Sequence, residues 1–202
     1  MTSKYAVFIG GVPGVGKSSI SGSLSHAFGI NNILSGDYLR EFYRAYVRSG
    51  NIINYSVYDA WHYFGKETDE NILKGFIRQG AIIKKGIQRV ILRSARNGEP
   101  VLIETLYFIP ELYRKMREYI IPIYLYISDK KIHEDRLNSR TLFTHFKSPG
   151  ERLSRKLREY RIMMRYSLVA CEKYGIPTFE MSDFESSMER ITEYVESQKG
   201  WP

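Results

Sequence analysis

The sequence contains one cysteine, no long apolar run and no repeated or low-complexity segment. The single cysteine, Cys171, excludes an internal disulfide and a cysteine-based metal cluster, and its helical spacing from Leu168 and Tyr174 favours a place in the core. No stretch reaches the roughly 18 apolar residues that a membrane-spanning helix needs. The first residues also lack the apolar region of a signal peptide. We therefore expect a cytoplasmic protein with no membrane partner.

Acidic residues are also fewer than basic ones. The chain has 22 aspartates and glutamates and 30 lysines and arginines, which gives a net charge of +8. Most of the excess lies between residues 130 and 165, where eleven basic residues accompany four acidic ones. Such a segment is expected to face a polyphosphate, but it could instead bind nucleic acid electrostatically. The simplest alternative is a solvated basic helix face.

The most informative stretch is residues 11–18, G-V-P-G-V-G-K-S, which match the pattern G-x-x-x-x-G-K-[ST] in full. An apolar segment precedes it, and apolar residues at helical spacing follow it until Gly29, so the context is strand, glycine loop and helix. This context is typical of a nucleoside-triphosphate site, since backbone N–H groups and a helix N-terminus converge there. The alternative is a glycine-rich turn without a ligand.

We predict that ATP binds this loop, with Lys17 reaching the β- and γ-phosphates and the Ser18 hydroxyl holding Mg²⁺. The predicted nucleotide-binding residues are Gly11, Val12, Pro13, Gly14, Val15, Gly16, Lys17, Ser18 and Ser19.

Strand-like apolar segments alternate with helical patterns along the chain. This alternation predicts parallel βαβ units with helices on both faces of one sheet. We therefore expect an α/β fold of three α/β/α layers, of the P-loop kinase type, with a five-stranded parallel sheet and a helical lid. The predicted strands cover residues 5–9, 32–34, 100–104, 121–127 and 176–181.

Candidate catalytic residues follow the second and third strands, because ligands of open parallel sheets bind beyond the carboxyl ends of the strands. Asp37 could accept a proton from a substrate hydroxyl, and Arg40, three residues on, could bind an anionic substrate. Alternatively, Asp37 only caps a helix over residues 38–47. Glu104 ends the third strand in the place of the Walker B acid, where aspartate is commoner. It could order Mg²⁺ through water, act as the base, or be a surface residue.

Two arginines, Arg136 and Arg140, lie four residues apart on one predicted helix face ahead of a loop. Phosphoryl transfer needs positively charged side chains beside the phosphoryl group that is transferred, and a closing lid often supplies them. We therefore predict that both are catalytic and that roughly residues 130–158 form a mobile lid within a single domain, residues 1–202. Helix solubility is the alternative role for such arginines. The four histidines show no metal-ligand spacing and are interpreted as structural or surface residues.

Several further motifs resemble those of the archaeal 2-phosphoglycerate kinase family, in the same order along the chain. They are Gly10–Ser18, G-D-Y-L-R-E at 36–41, G-F-I-R-Q at 75–79, E-T-L-Y-F-I-P at 104–110, His133-x-x-Arg136 with Arg140 and Arg161, and Ile176-Pro177. The resemblance covers roughly residues 5–195 and concerns the kinase domain of that family. It implies a fold like that of nucleoside-monophosphate kinases and a transfer from ATP, with Mg²⁺, to 2-phosphoglycerate, giving 2,3-bisphosphoglycerate.

The resemblance also implies an acceptor site formed by Asp37, Arg40, Tyr107 and Arg161. Two positions depart from the family pattern in this site: Thr105 stands where the family has glycine, and Tyr107 where it has histidine. These changes leave ATP use intact and bear on the identity of the acceptor.

We expect the partner to be a small anionic phosphorylated substrate, with nucleic acid less favoured. A nucleoside or nucleotide kinase, an RNA-directed kinase and an ATP-dependent switch are the alternative functions. The sequence leaves open which of Asp37 and Glu104 is the base, whether ATP or GTP is preferred, and the oligomeric state.

Overall fold

A parallel β-sheet forms the centre of the structure, a computed structural model that describes residues 4–139 and 150–198. Its strand order is β2-β3-β1-β4-β5, and all four pairings are parallel. The strands are β1 Ala6–Gly10, β2 Asn32–Ser35, β3 Val101–Thr105, β4 Ile120–Tyr126 and β5 Thr178–Glu180. The five predicted strands and the α/β class are confirmed.

Helices cover both faces of this sheet. The chain first moves outward from β1 to β2 and then reverses through β3 and β4, so right-handed crossovers place α1 on one face and α3 and α7 on the other. Contacts of α1 with α8, and of α3 with α7, agree with this division. The helices are α1 Lys17–Phe28, α2 Gly36–Arg44, α3 Asp69–Asn97, α4 Pro110–Tyr113, α5 Lys130–Asn138, α6 Gly150–Ser154, α7 Leu157–Tyr174 and α8 Phe184–Glu196, with 3₁₀ turns at Ile52–Asn54, Val57–Phe64 and Arg114–Met116.

The central strands are buried on both sides, as their uninterrupted apolar sequences require. All five residues of β1 are buried, and the Phe8 ring lies 4.8 Å from that of Phe108 and 4.5 Å from that of Tyr113. Cys171 is also buried, as predicted, and burial raises the pKa of its thiol to about 12. No helix in the described parts of the chain is long and apolar enough to cross a membrane.

One close contact fixes the start of α2 against the end of β3. A Cβ atom on Gly36 would lie 2.6 Å from the Cβ of Thr105, a separation that real side chains do not adopt. Thr105 is one of the two residues that depart from the family pattern, and its side chain occupies space that only a glycine at position 36 leaves free.

This contact makes Gly36→Ala a destabilising change. We expect the free energy of unfolding to fall by about 1–3 kcal/mol, because overpacking forces the backbone of α2 or β3 to move. Gly22→Ala is the matched control: a Cβ there meets nothing within 4 Å, and alanine should raise the stability of α1 by about 0.5–1 kcal/mol. Urea unfolding of both variants checks this, and equal effects of the two changes would contradict it.

Candidate active site

The glycine loop between β1 and α1 has the geometry of an anion site. Gly14 and Gly16 have φ angles of 87° and 93°, which side-chain-bearing residues rarely adopt, and Gly16 immediately precedes the first residue of α1. The first turn of α1 holds no acidic residue and receives no side-chain cap. Its N–H groups and the positive end of the helix dipole therefore remain available to an anion.

The two polar residues that open α1 make contacts within this loop and across to β3. Lys17 Nζ donates to the carbonyl of Val12, at 3.0 Å. The Ser18 hydroxyl donates to Glu104, whose two carboxylate oxygens lie 3.2 and 3.0 Å from Ser18 Oγ. Ser18 and Ser19 are exposed. Parallel pairing of β3 with β1 sets Glu104 opposite Ile9, and this register brings the carboxylate to the loop.

Ser18 and Glu104 could together hold a magnesium ion. No cluster of three or more histidine, cysteine, aspartate or glutamate side chains that could bind a metal occurs among residues 4–139 and 150–198. A cation here would thus need further oxygens from phosphate or water. Mg²⁺ is commonly bound in this way, by one or two protein oxygens together with substrate phosphates, so the donor set fits it.

Asp37 and Arg40 both lie on α2, beyond the carboxyl end of β2. The cap of α2 is Ser35, whose hydroxyl accepts from the N–H of Asp37 at 3.3 Å, so the alternative that Asp37 only caps this helix is wrong. The helix also begins two residues earlier than predicted and ends at Arg44. The Asp37 side chain is therefore exposed and not committed to the cap.

Arg40 is held mostly buried, with 17% of its side chain exposed. One of its Nη atoms donates to the carbonyl of Tyr55 at 3.3 Å, and the other to Glu41 at 2.7 Å. Its Nε atom is buried without a hydrogen-bond partner in the described chain. Its Nε–H is therefore a guanidinium donor that the two hydrogen bonds leave unused, and it could serve an anionic oxygen.

Tyr107 and Gln79 form a buried polar pair beside Arg40. The Tyr107 hydroxyl donates to Gln79 Oε1 at 2.9 Å, and both side chains have no exposed surface. The Gln79 amide donates to the carbonyls of Ile52 and Tyr55, at 2.7 and 3.0 Å. Burial raises the pKa of Tyr107, while the charge of Arg40 acts in the opposite direction. The pair braces the wall around Arg40, and direct contact of Tyr107 with a substrate remains a prediction.

The arginines of the basic segment divide into two groups. Arg136 donates to the carbonyl of Ser182 at 3.0 Å, and Arg161 to those of Ile127 and Ser128 at 3.3 and 2.8 Å. Both therefore lie near the carboxyl ends of β4 and β5. Arg140 and residues 141–149 of the predicted lid lie outside the described residues, so the catalytic role of Arg140 and the lid remain predictions.

Other cations of this segment pair with acidic side chains of the protein. Arg155 lies 3.3 Å from Glu151. Arg158 contacts Glu67, which precedes α3, and Asp69, the first residue of α3. Lys156 pairs with Asp59 at 3.0 Å. These pairs reduce the positive charge that the segment offers to an external polyanion.

His133 belongs to a family motif recognised in the sequence, but its position beside the glycine loop was not predicted. It lies on α5, is fully buried, and its Nε2 is 2.8 Å from the carbonyl of Pro13 in the glycine loop. Because a carbonyl only accepts, Nε2 carries the proton, and the unprotonated Nδ1 is buried without a partner. A Cβ on Gly14 would lie 3.1 Å from the His133 ring. The loop is thus supported from α5.

Two solved kinase structures share this architecture. Shikimate kinase from Acinetobacter baumannii, in complex with shikimate, aligns with a TM-score of 0.58 and 12% identity, covering 98% of this chain and 96% of that one. Shikimate kinase from Bacteroides thetaiotaomicron aligns with a TM-score of 0.53 and 16% identity over 95% and 98% of the two chains. The fold is therefore that of the P-loop kinases.

Proteins similar in sequence show which kinases this chain is related to. Mevalonate-3-phosphate 5-kinase from Thermoplasma acidophilum is 42% identical over 186 residues, 92% of each chain. The 2-phosphoglycerate kinases of Methanopyrus kandleri and Pyrococcus horikoshii are each 27% identical over 95% and 94% of this chain, which spans 61% and 63% of their length. No family model matches the chain. The chain belongs to the family of these archaeal kinases and is itself a kinase.

Lys17 gives a direct test of the glycine loop. We expect Lys17→Ala to lower kcat by about 100-fold or more, because a charge aimed at the transferred phosphoryl group is lost, while the unfolding midpoint stays unchanged. Lys115→Ala, an exposed lysine remote from the loop, is the control and should keep full turnover. Near-normal turnover of the Lys17 variant would remove the loop from the mechanism.

His133 makes stability depend on pH in a predictable direction. Burial lowers the pKa of His133 below its ordinary 6.5, and the nearby charges of Arg161, Lys17 and Arg136 lower it further. Its contribution is complete above pH 6.5 and is lost as pH falls toward the lowered pKa, because the unfolded state takes up the proton first.

We therefore expect His133→Gln, which keeps an N–H donor but does not titrate, to lose less unfolding free energy than the parent protein between about pH 7 and pH 5. Urea titrations at both pH values measure this difference. Equal losses in the two proteins would show that His133 is not held neutral.

Proposed function

We propose that the chain transfers the γ-phosphoryl group of ATP, with Mg²⁺, to a hydroxyl of a small acceptor that already carries a phosphate and a carboxylate. Mevalonate 3-phosphate is the first candidate acceptor. The observation that carries this choice is the 42% identity with mevalonate-3-phosphate 5-kinase over 92% of both chains. The second candidate is 2-phosphoglycerate, on the weaker likeness to the 2-phosphoglycerate kinases.

The residues around Arg40, which we call the acceptor wall, favour mevalonate 3-phosphate over 2-phosphoglycerate. Thr105 and Tyr107 replace the glycine and the histidine of the 2-phosphoglycerate kinase pattern, and both are used structurally. Thr105 packs against Gly36, and the Tyr107 hydroxyl binds Gln79 beside Arg40. Because Thr105 and Tyr107 differ from the family pattern, we expect the acceptor wall to fit an acceptor with a different carbon skeleton. Arg40 would still bind the anionic group of that acceptor.

The two candidate acids receive different roles in this proposal. Glu104 already accepts from Ser18 through both oxygens, so we assign it to the metal side, whereas the exposed Asp37 is assigned to the acceptor hydroxyl. The acceptor oxygen bonds to the γ-phosphorus, the bond from that phosphorus to the β-γ bridging oxygen breaks, and the hydroxyl proton passes to Asp37. ADP leaves with the bridging oxygen.

The remaining groups stabilise charge. Lys17 and the N–H groups at the start of α1 face the phosphates, Arg136 and Arg161 flank them from the β4 and β5 side, and Arg40 Nε holds an acceptor oxygen. Mg²⁺, when bound, would neutralise negative charge on the phosphates. An RNA acceptor is less favoured, because Arg155, Lys156 and Arg158 are engaged by acidic side chains.

The test is ADP release with ATP and Mg²⁺ over a panel of acceptors, with the product located by phosphorus NMR. The panel holds mevalonate 3-phosphate, mevalonate, 2-phosphoglycerate, 3-phosphoglycerate, nucleoside monophosphates and tRNA. We expect turnover with mevalonate 3-phosphate and a new phosphate monoester on its primary hydroxyl. Turnover only with a nucleotide or tRNA would contradict the proposal, and turnover only with 2-phosphoglycerate would select the second candidate.

Asp37→Asn tests the assignment of the base with the productive acceptor. We expect kcat to fall by about 100- to 10,000-fold with little change in the KM for ATP. Asp135→Asn, an exposed aspartate on α5, is the control and should be unaffected. A fall confined to the KM for the acceptor would assign Asp37 to binding instead of proton transfer.

A further inference from the structure

Gln79 is a fully buried polar residue of α3 that has no part in the reaction steps given above. Its side chain has no exposed surface. The amide nitrogen donates to the carbonyls of Ile52 and Tyr55, at 2.7 and 3.0 Å. The amide oxygen accepts from the Tyr107 hydroxyl at 2.9 Å. Because an amide nitrogen carries two N–H groups, both donors of Gln79 are used.

These partners leave the Gln79 amide only one orientation. The carbonyls of Ile52 and Tyr55 can only accept, so the amide nitrogen must face them and the oxygen must face Tyr107. The Tyr107 hydroxyl therefore gives its proton to Gln79 and keeps its lone pairs for a donor on another side. One buried side chain thus sets the direction of three hydrogen bonds in the acceptor wall.

Two of the three partners of Gln79 lie next to Arg40. The Tyr55 carbonyl accepts from Gln79 and, at 3.3 Å, from an Nη atom of Arg40. Burial raises the pKa of Tyr107 and the charge of Arg40 lowers it, which places the guanidinium near the phenol. Tyr55 and Tyr107 are 24 and 28 residues from Gln79 in sequence, so the amide joins α3 to two separate segments beside Arg40.

The direction of the Arg40 Nε atom depends on these contacts. One Nη atom is bound to Tyr55 and the other to Glu41, and Nε is buried without a partner in the described chain. Glu41 is the neighbour of Arg40 on α2 and is 52% exposed, so the Tyr55 carbonyl is the anchor that ties the guanidinium to the rest of the acceptor wall. A misplacement of about 1 Å at such a group already weakens its contact with a substrate.

We propose that Gln79 is a positioning residue for the acceptor: by holding the Tyr55 carbonyl and the Tyr107 hydroxyl, it fixes the Arg40 guanidinium with Nε toward the acceptor anion. This inference rests on the proposed function, in which Arg40 Nε holds an acceptor oxygen. It makes Gln79 a determinant of the affinity for the acceptor, whereas the affinity for ATP is independent of it.

Steady-state kinetics with the productive acceptor test this role. Gln79→Met keeps the length of the side chain and removes its hydrogen bonds, so we expect the KM for the acceptor to rise about tenfold and the KM for ATP to stay within about twofold. Gln88→Met makes the same change at a half-buried position of the same helix and should leave both KM values unchanged. Equal rises in the two KM values of the Gln79 variant would overturn the proposal.

A double-mutant cycle separates positioning of Arg40 from a general structural effect. Arg40→Lys keeps the charge and removes Nε. If Gln79 acts through Arg40, adding Gln79→Met to Arg40→Lys should raise the KM for the acceptor no further. Effects that multiply in the double variant would show that Gln79 acts elsewhere and would overturn the proposal.

Hydrogen exchange of the Arg40 Nε–H, followed by NMR, tests the positioning without any substrate. Loss of the signal in Arg40→Lys assigns it. We expect exchange to become about tenfold faster in Gln79→Met and to stay unchanged in Gln88→Met. Tyr107→Phe, which removes only the hydroxyl, is a milder second variant and should change exchange in the same direction.

These measurements distinguish the failure of this inference from the failure of the proposed function. An Arg40 exchange rate that is the same in the parent protein, Gln79→Met and Tyr107→Phe would overturn the positioning role, whatever the acceptor. A parent protein that phosphorylates no acceptor carrying an anionic group would contradict the proposed function, and the exchange rate would still decide the role of Gln79.

Discussion

The pairing of β3 between β1 and β2 is the constraint on which the site depends. This register sets Glu104 level with Ile9 on one side and with Ser35 on the other. As a result the glycine loop, the Glu104 carboxylate and the start of α2 meet at one edge of the sheet. A shift of β3 by one residue would turn Glu104 to the opposite face and break its contact with Ser18.

Two supports hold this edge in shape, one on each side. On the α2 side, Thr105 fills the space that Gly36 leaves, and the buried pair of Tyr107 and Gln79 braces Arg40. On the α5 side, His133 donates to the carbonyl of Pro13 and thereby supports the glycine loop. Asp37 and Ser18 are exposed at this edge, while Thr105, Gln79 and His133, which support it, are buried.

The fold and the glycine loop could be predicted from the sequence because their signals are local. Alternating apolar segments give the five strands, and the contiguous motif at residues 11–18 gives the loop. Ser35 was missed as the cap of α2 because Asp37, two residues away, is an equally good capping type. His133 could not be placed because its partner Pro13 is 120 residues distant in sequence, and a single buried histidine carries no periodic signal.

The structure around the predicted acceptor site was the hardest part to predict from the sequence. Thr105 and Tyr107 were recognised as departures from the family pattern, but the sequence did not show that one packs on Gly36 and the other binds Gln79. Gln79 itself lay within a recognised motif, yet its role required knowing that α3 passes beneath the turn at Ile52–Asn54, whose carbonyl it binds.

The measurement that tests the central claim most directly is the Mg²⁺ dependence of turnover in the parent protein and in Glu104→Gln. If Ser18 and Glu104 form the protein side of the metal site, the variant should need about tenfold or more Mg²⁺ for half-maximal turnover, while its affinity for metal-free ATP stays the same. An identical Mg²⁺ dependence in the two proteins would contradict the account, because the strand register would then place Glu104 beside the loop without a part in the reaction.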